Sequence, residues 1–270
     1  MRPLSPVTGM VAALWRYRQF IRTSIRAELQ GRFARSSLGA LWHILHPLAQ
    51  AAILALVLAE VMGMRLPQMT DRAAYPVYLM AGNAAWGLFT EIFNRCLTVF
   101  ITYAGSLKKI SFPRLCLPVI VWGSAMVNHA MLLAAIFVVY IALGHPPTLT
   151  WLALPLGVLL ISMFAFGLGL LLGIINVFAR DVAEVAGILL QIWFWLTPIV
   201  YSAEIVPQRF RWLLALNPLA PLVRIYQDAL LYNRWPDLGT LAVPAGLACF
   251  FVVLAFALFR RASSELVDAL

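Results

Sequence analysis

Charged residues are scarce in this chain of 270 residues. Lysine, arginine, aspartate and glutamate together make up 11% of it, whereas hydrophobic residues make up 63% and the mean hydropathy is +0.87. An ordinary soluble domain has about a quarter of its residues charged. The composition therefore predicts an integral membrane protein that crosses the bilayer several times.

The chain also lacks the short motifs of common catalytic and nucleotide-binding sites. It has no Gly-x-x-x-x-Gly-Lys-Ser/Thr phosphate loop, no Gly-x-Ser-x-Gly elbow, no His-Glu-x-x-His zinc helix and no Cys-x-x-Cys pair. The three cysteines are widely spaced in or beside apolar segments, which favours membrane packing over a disulfide framework. His43 and His46 share one helix face, but no third ligand accompanies them. We predict no metal site and no enzyme activity of this chain.

The charge that is present is mainly positive, with a net value of +9. Nucleic acid is one partner for such a charge, but the basic residues flank apolar runs instead. Seven arginines precede Trp42, and others lie in 103–118, at Arg180 and at Arg260 and Arg261. By the positive-inside rule these segments are cytoplasmic. We therefore predict no nucleic-acid partner and place both termini, 1–44 and 260–270, in the cytoplasm.

Long apolar runs predict six transmembrane helices in a single domain of the all-α class. The predicted spans are 45–64, 77–101, 119–143, 152–178, 185–201 and 240–259. Proline interrupts the fifth run at Pro198 and the following stretch at Pro218 and Pro221. The region 202–237 is thus predicted to form two short re-entrant helices at the outer face. In the fourth span, Gly169 and Gly173 predict close helix packing within the subunit.

The N-terminal arm has an amphipathic pattern over residues 14–30. Apolar residues recur at helical spacing from Leu14 to Leu29, and Arg18, Arg22 and Arg26 follow the edge of that stripe. This pattern predicts a helix in the membrane interface whose arginines meet lipid phosphates. A simpler alternative is that these charges only set the orientation of the chain.

The segment 103–118 is a short polar stretch between two apolar runs. It places Lys108, Lys109 and Arg114 around Phe112 and Pro113. Two interpretations remain open: a docking surface for another protein, or a basic loop that only sets topology.

The second span contains Glu91 and Arg95, four residues apart on one helix face. An unpaired charge in mid-bilayer costs roughly 2.5–3.5 kcal/mol, so the two side chains are predicted to pair or to face water. They form either an ion pair buried against neighbouring helices or a polar patch in a conduit.

Five motifs occur in order along almost the whole chain. They are Ser37-Leu38-Gly39-x-x-Trp42 with Pro47, Lys108-Lys109-x-x-Phe112-Pro113-Arg114, Asn176-Val177-x-x-Arg180-Asp181, Phe194-x-x-Thr197-Pro198-Ile199-Val200-Tyr201, and Asn217-Pro218. In this set the chain resembles the transmembrane subunit of type-2 ABC exporters for polysaccharides, the O-antigen permease family with its capsule and teichoic-acid relatives.

The resemblance implies a homodimeric permease in the bacterial inner membrane, bound to two copies of a separate ATPase that holds ATP and Mg²⁺. The homodimer would form the pore for an undecaprenyl-diphosphate-linked glycan. On this basis 103–118 is a coupling helix that contacts the ATPase, as does the interfacial helix, and 202–237 holds outer gate helices. Residues Arg35, Leu38, Gly39 and Trp42 would lie near lipid headgroups, with Trp42 as an interfacial anchor.

A conduit for a sugar polymer needs aromatic faces and sparse polar groups. The candidates for channel or gate are Glu91, Arg95, Arg180, Asp181, Trp193, Phe194, Trp195, Tyr201, Asn217 and Pro218. Trp193 and Trp195 differ by about 200° on a helix, so at most one of them lines the pore. The aromatic residues could instead form an interfacial belt and core packing. Alternative functions are export of capsule, teichoic acid, a drug or a small lipid, or a multi-pass lipid-phosphate glycosyltransferase.

Overall fold

The computed structural model describes residues 14–33, 74–109, 112–142 and 146–262, with isolated positions at 12, 42, 45, 49, 53, 144, 265 and 266. The predicted first span, 45–64, lies almost wholly outside the described residues, as do Arg35, Leu38 and Gly39. Within 103–118 the backbone of Lys108 and Lys109 is described, but their side chains lie outside the described part.

The described part of the chain is helical, and no strand occurs in it. Its helices are α1 (Arg18–Phe33), α2 (Ala74–Thr102), α3 (Ala104–Lys109), α4 (Cys116–Ala142), α5 (Leu154–Phe178), α6 (Asp181–Leu196), α7 (Arg211–Leu216), α8 (Leu219–Gln227) and α9 (Leu238–Ala262). A 3₁₀ helix, Leu149–Ala153, leads into α5. Two more, Ala203–Ile205 and Gln208–Phe210, precede α7, and a π-helical turn, Asp228–Tyr232, continues α8.

Three of these helical segments are long and apolar enough to cross a membrane: Cys116–Ile141, Leu149–Phe178 and Leu238–Ala262. They correspond to the third, fourth and sixth predicted spans. The second predicted span corresponds to α2, which has 29 residues but carries Glu91 and Arg95. The fifth corresponds to α6, whose 16 residues reach about 24 Å, short of a hydrocarbon core of about 30 Å. Helix α6 ends at Leu196, just before the proline at position 198.

Helix α2 lies at the centre of the bundle and packs against α4, α5 and α8, while α5 also packs against α9. The Tyr140 hydroxyl donates to the Val77 carbonyl (2.6 Å) near the start of α2, and the Arg95 guanidinium donates to the Val121 carbonyl (3.4 Å) near its end. Helices α2 and α4 are therefore antiparallel. The amide of Asn176 near the end of α5 donates to the Leu97 carbonyl (3.1 Å), so α5 runs parallel to α2.

Glycines allow α5 to lie against its neighbours at backbone distance. A Cβ on Gly169 would lie 2.8 Å from the Phe93 carbonyl oxygen, and one on Gly173 would overlap the Cys96 carbonyl oxygen. On the opposite face, a Cβ on Gly167 would lie 2.6 Å from the Val252 amide nitrogen of α9. The glycine pair of the fourth span thus packs within the subunit, as its spacing predicts.

Helix α6 buries less of its surface than the longer helices α2, α5 and α9, because its buried residues are only Ala186 and Leu190. Its exposed large apolar side chains are Val185, Ile188, Leu189, Ile192, Trp195 and Leu196. Along one side of α6 runs an apolar groove of about 710 Å³, lined also by α5 and α7. The described part of the chain leaves most of α6 uncovered.

Candidate functional site

The break after α6 is held by one side chain, that of Asn217. Its amide nitrogen donates to the Leu196 carbonyl (3.1 Å) and the Thr197 hydroxyl (3.0 Å), while its oxygen accepts from the Trp193 indole (2.8 Å) and the Leu219 amide (3.0 Å). Asparagine suits this position because it carries both donors and an acceptor in one short group. It satisfies backbone groups that a helix end would otherwise leave unpaired in an apolar setting.

The segment after the break is bonded to the start of α2. The Tyr78 hydroxyl lies 2.9 Å from the Pro198 carbonyl and 2.8 Å from the Tyr201 carbonyl, and the Tyr75 hydroxyl donates to the Val200 carbonyl (2.7 Å). The Gln227 amide at the end of α8 also donates to the Pro198 carbonyl (2.9 Å). Residues 197–201 are thus fixed from two other helices.

The aromatic residues predicted for a conduit point in different directions. Trp193 packs on Phe89 and Phe164, with ring centroids 5.5 and 6.2 Å away, whereas Trp195 is 63% exposed. Only one of the two tryptophans therefore faces the bundle, in keeping with their angular separation. The remaining candidates Phe194 and Tyr201 are half-buried: Phe194 lies 5.5 Å from the Trp86 ring, and the Tyr201 hydroxyl donates to the Trp195 carbonyl (3.0 Å).

The turn between α5 and α6 is held by Asn176. Besides its bond to α2, its side-chain oxygen accepts from the Ala183 amide (3.2 Å) in the first turn of α6. Arg180 and Asp181 are exposed at this turn, and Asp181 begins α6, where a carboxylate favours the positive end of the helix dipole. Asp181 also lines the apolar groove, whose far end is formed by Asn217 and Pro218.

The charged pair in α2 belongs to a larger polar network. Arg95 lies 3.5 Å from Glu91, and it also forms an ion pair with Glu28 of α1. The Ser124 hydroxyl donates to Glu28 (2.8 Å), and the Asn128 amide donates to Glu91 (2.7 Å). The intrahelical pair predicted from the sequence is thus present, and it lies half-buried against α1 and α4. Glu28 was not singled out in the sequence, because it lies 67 residues from its partner.

Helix α1, which the sequence predicts to be interfacial, and the 103–118 segment contact each other. The rings of Phe20 in α1 and Phe112 lie 5.3 Å apart. In α1, Arg18, Arg22 and Arg26 are exposed, and Ile25 packs against Gly123 of α4, where an added Cβ would lie 2.5 Å from its Cδ1. Among the described residues of 103–118, Phe112, Pro113 and Arg114 are half-buried.

Helix α8 and the turn after it join α4 and the 3₁₀ helix before α5. The Tyr226 hydroxyl and the His129 Nε2 of α4 lie 2.8 Å apart, and both side chains are buried. The Thr150 hydroxyl donates to the Ala229 carbonyl (3.0 Å). In the turn, burial raises the pKa of the Asp228 carboxyl, and the Arg224 guanidinium, 3.3 Å away, opposes that shift.

Sequence reasoning passed over several residues that hold this arrangement, namely Tyr75, Tyr78, His129, Tyr226 and Gln227. The signal available for them is that each carries a polar group inside or beside an apolar run. Such groups need partners when buried, although the sequence does not name those partners. No group of three or more His, Cys, Asp or Glu side chains suited to a metal ion occurs in the described ranges.

Residues 19–231 match the family described as ABC-2 type transporter. The chain is 30% identical over 205 residues to an O-antigen export system permease protein RfbA of Klebsiella pneumoniae, covering 74% of this chain and 76% of that protein. It is 27% identical over 263 residues to an RfbA of Myxococcus xanthus, covering 97% and 99% of the two chains. It is 24% identical over 249 residues to a polysialic acid transport protein KpsM of Escherichia coli, covering 90% and 93%. The chain therefore belongs to the ABC-2 type transporter family.

Proposed function

We propose that this chain is the membrane-spanning subunit of an ATP-driven exporter of lipid-linked polysaccharide of the O-antigen type. The observation that carries the proposal is the similarity, over most of the chain, to proteins named for O-antigen export and polysialic acid transport. The chain has no phosphate loop of its own, so the hydrolysis of ATP, with its Mg²⁺, falls to a partner. The chain itself acts as a transport subunit of the inner membrane.

Two surfaces of the chain suit contact with a partner ATPase. The first is the 103–118 segment with its basic residues, and the second is α1, which meets that segment through Phe20 and Phe112. Because the two surfaces touch, a protein bound to one of them lies beside the other. We assign the basic residues of 103–118 to this docking and the exposed arginines of α1 to lipid phosphates.

The face of α6 that the described part of the chain leaves uncovered supports a homodimer. Single exposed apolar residues are ordinary in a membrane helix, but α6 is too short to span by itself and leaves a groove along one side. A second copy of the chain that packs here would bury that face. The pore would then lie between two copies, with α6 of each copy near its wall.

Co-expression with the ATPase gene that lies nearest in the native genome tests the proposal. The expected result is that the ATPase co-purifies with this chain. In a second experiment, the permease gene is deleted in the native host. We expect this deletion to stop the appearance of glycan at the cell surface while lipid-linked polymer accumulates inside the cell. Normal surface glycan after deletion, with no such accumulation, would refute export of this substrate. Product formed from lipid-phosphate sugars by the purified chain alone would instead indicate a transferase. A small-lipid exporter would keep the ATPase but leave surface glycan unchanged.

A further inference from the structure

A series of polar contacts joins the interfacial helix α1 to α4. It begins at Glu28, which pairs with Arg95 of α2, and continues from Arg95 to Glu91 at 3.5 Å. It then passes from Glu91 to the Asn128 amide of α4 at 2.7 Å. All four side chains lie at helix contacts, and Glu28 and Arg95 are 16% and 18% exposed.

The series continues through the next residue of α4 to α8. His129 follows Asn128 in the chain, and its Nε2 lies 2.8 Å from the Tyr226 hydroxyl. His129 and Tyr226 are 4% and 0% exposed. Since adjacent residues on a helix point about 100° apart, α4 presents one polar group to α2 and the next one to α8.

The contacts connect α1, which lies next to the predicted docking segment, to α8, which lies in the predicted outer gate region. Helix α1 lies against the predicted docking segment through Phe20 and Phe112. Helix α8 ends at Gln227, whose amide donates to the Pro198 carbonyl in the 197–201 segment (2.9 Å). A displacement of α1 therefore acts on the helix that holds this segment, through side-chain contacts on either side of α4 and through the α4 backbone between Asn128 and His129.

The part of the series formed by Asn128, His129 and Tyr226 is buried, which favours discrete arrangements of these contacts over a continuous range. A buried donor or acceptor that loses its partner must find another, so these helices do not shift smoothly against each other. At the centre of the series, the Asn128 Oδ1 is buried and has no hydrogen-bond partner among the described residues. An arrangement of these helices that gave this oxygen a partner would gain that hydrogen bond.

We propose that Glu28, Arg95, Glu91, Asn128, His129 and Tyr226 form a positioning relay that couples the movement of α1 to the outer gate helix α8. Their role is to make the position of α8 depend on the position of α1. The proposal rests on the proposed function, because coupling has a meaning only in a transporter that is driven by a partner ATPase.

The two ends of the relay can be altered without a change of shape. Glu28→Gln removes the charge that pairs with Arg95, and Tyr226→Phe removes only the hydroxyl that meets His129. In the assembled complex we expect each variant to retain ATP turnover while glycan exported per ATP falls about fivefold. In the double variant, glycan exported per ATP should be no lower than in the more impaired single variant, because both changes interrupt the same series.

A matched control is Tyr140→Phe. Like Tyr226, Tyr140 is fully buried, but it lies on α4 and outside the relay. Its hydroxyl donates a hydrogen bond to the Val77 carbonyl of α2. This variant should lose some thermal stability and keep its export per ATP. If Tyr226→Phe does not assemble, His129→Leu removes the same contact from the other side and takes its place.

Three outcomes would overturn the relay. They are unchanged export per ATP in both single variants, losses that multiply in the double variant, and an equal loss in Tyr140→Phe. In each case the unmodified chain still binds its ATPase and exports glycan, so the proposed function stands. Failure of the unmodified chain to bind an ATPase would refute the proposed function instead.

Discussion

The indole nitrogen of Trp193 donates a hydrogen bond of 2.8 Å to the side-chain oxygen of Asn217. This bond joins the last turn of α6 to the loop before α8, across 24 residues of sequence. It also fixes the direction of the Trp193 ring, which packs on Phe89 and Phe164. The inward orientation of this tryptophan and the path of the chain after α6 thus depend on the same asparagine.

Asn217→Ala is expected to destabilise the membrane domain by about 2–3 kcal/mol, because it leaves buried donors and acceptors without partners. The measurement is the thermal stability of the purified protein in detergent. Asn94→Ala is the control, since Asn94 lies exposed on α2. Equal stability of the two variants would contradict the role given to Asn217.

Gly173→Ala is expected to cost about 1–3 kcal/mol, because the added methyl group meets the Cys96 carbonyl oxygen, which belongs to the backbone and cannot rotate away. The folded yield in the membrane and the melting temperature report this cost. Gly187→Ala serves as the matched control: it adds the same methyl group on α6, where no atom of the described residues lies within 4 Å. The prediction fails if both alanines are tolerated equally.

Lys108→Glu combined with Arg114→Glu is expected to abolish binding of the ATPase, or to reduce its turnover at least tenfold, through repulsion at the docking segment. Co-purification and ATP hydrolysis measure the effect. Arg209→Glu combined with Arg211→Glu makes the same change of charge in the predicted outer region and should leave both readouts intact. Full assembly and turnover in the first variant would exclude 103–118 as the coupling segment.

Ile192→Cys is expected to form a disulfide between two copies of the chain, because this side chain is 53% exposed on the face of α6 that the described residues leave uncovered. The assay is oxidation in native membranes followed by electrophoresis without reductant, in a background with Cys249→Ser. Val253→Cys, which is 67% exposed on α9, should stay uncrosslinked. Cross-linking through α9 but not through α6 would move the subunit interface to another face.

Hydropathy and proline positions were sufficient to locate most of the described helices. The spacing of apolar residues predicts which side of α1 is apolar and which side carries the arginines. In the structure, Arg18, Arg22 and Arg26 are exposed as expected. Helix α2 begins at Ala74, earlier than the predicted span, because Pro76 lies in its first turn, where its missing amide costs nothing. The end of α6 at Leu196 follows from the proline at position 198.

The partners of polar residues could not be predicted in the same way. Glu91 and Arg95 were recognisable as a pair because they lie on one helix, whereas Glu28, Tyr75 and Tyr226 find their partners on other helices. Such contacts depend on how helices cross, and single-helix periodicity carries no information about that. The assignment of channel and gate residues, and the docking role of 103–118, remain predictions.

The glycines of α5 have a mechanical consequence for transport. Gly167 faces α9 while Gly169 and Gly173 face α2, and at each of these points only a residue without a side chain fits. If α5 slid along its axis or turned about it, leucines such as Leu168 or Leu170 would replace glycine at a backbone contact. The axial register of α2, α5 and α9 is therefore locked by steric exclusion. We therefore expect any opening for substrate to leave these three helices together as a single rigid body.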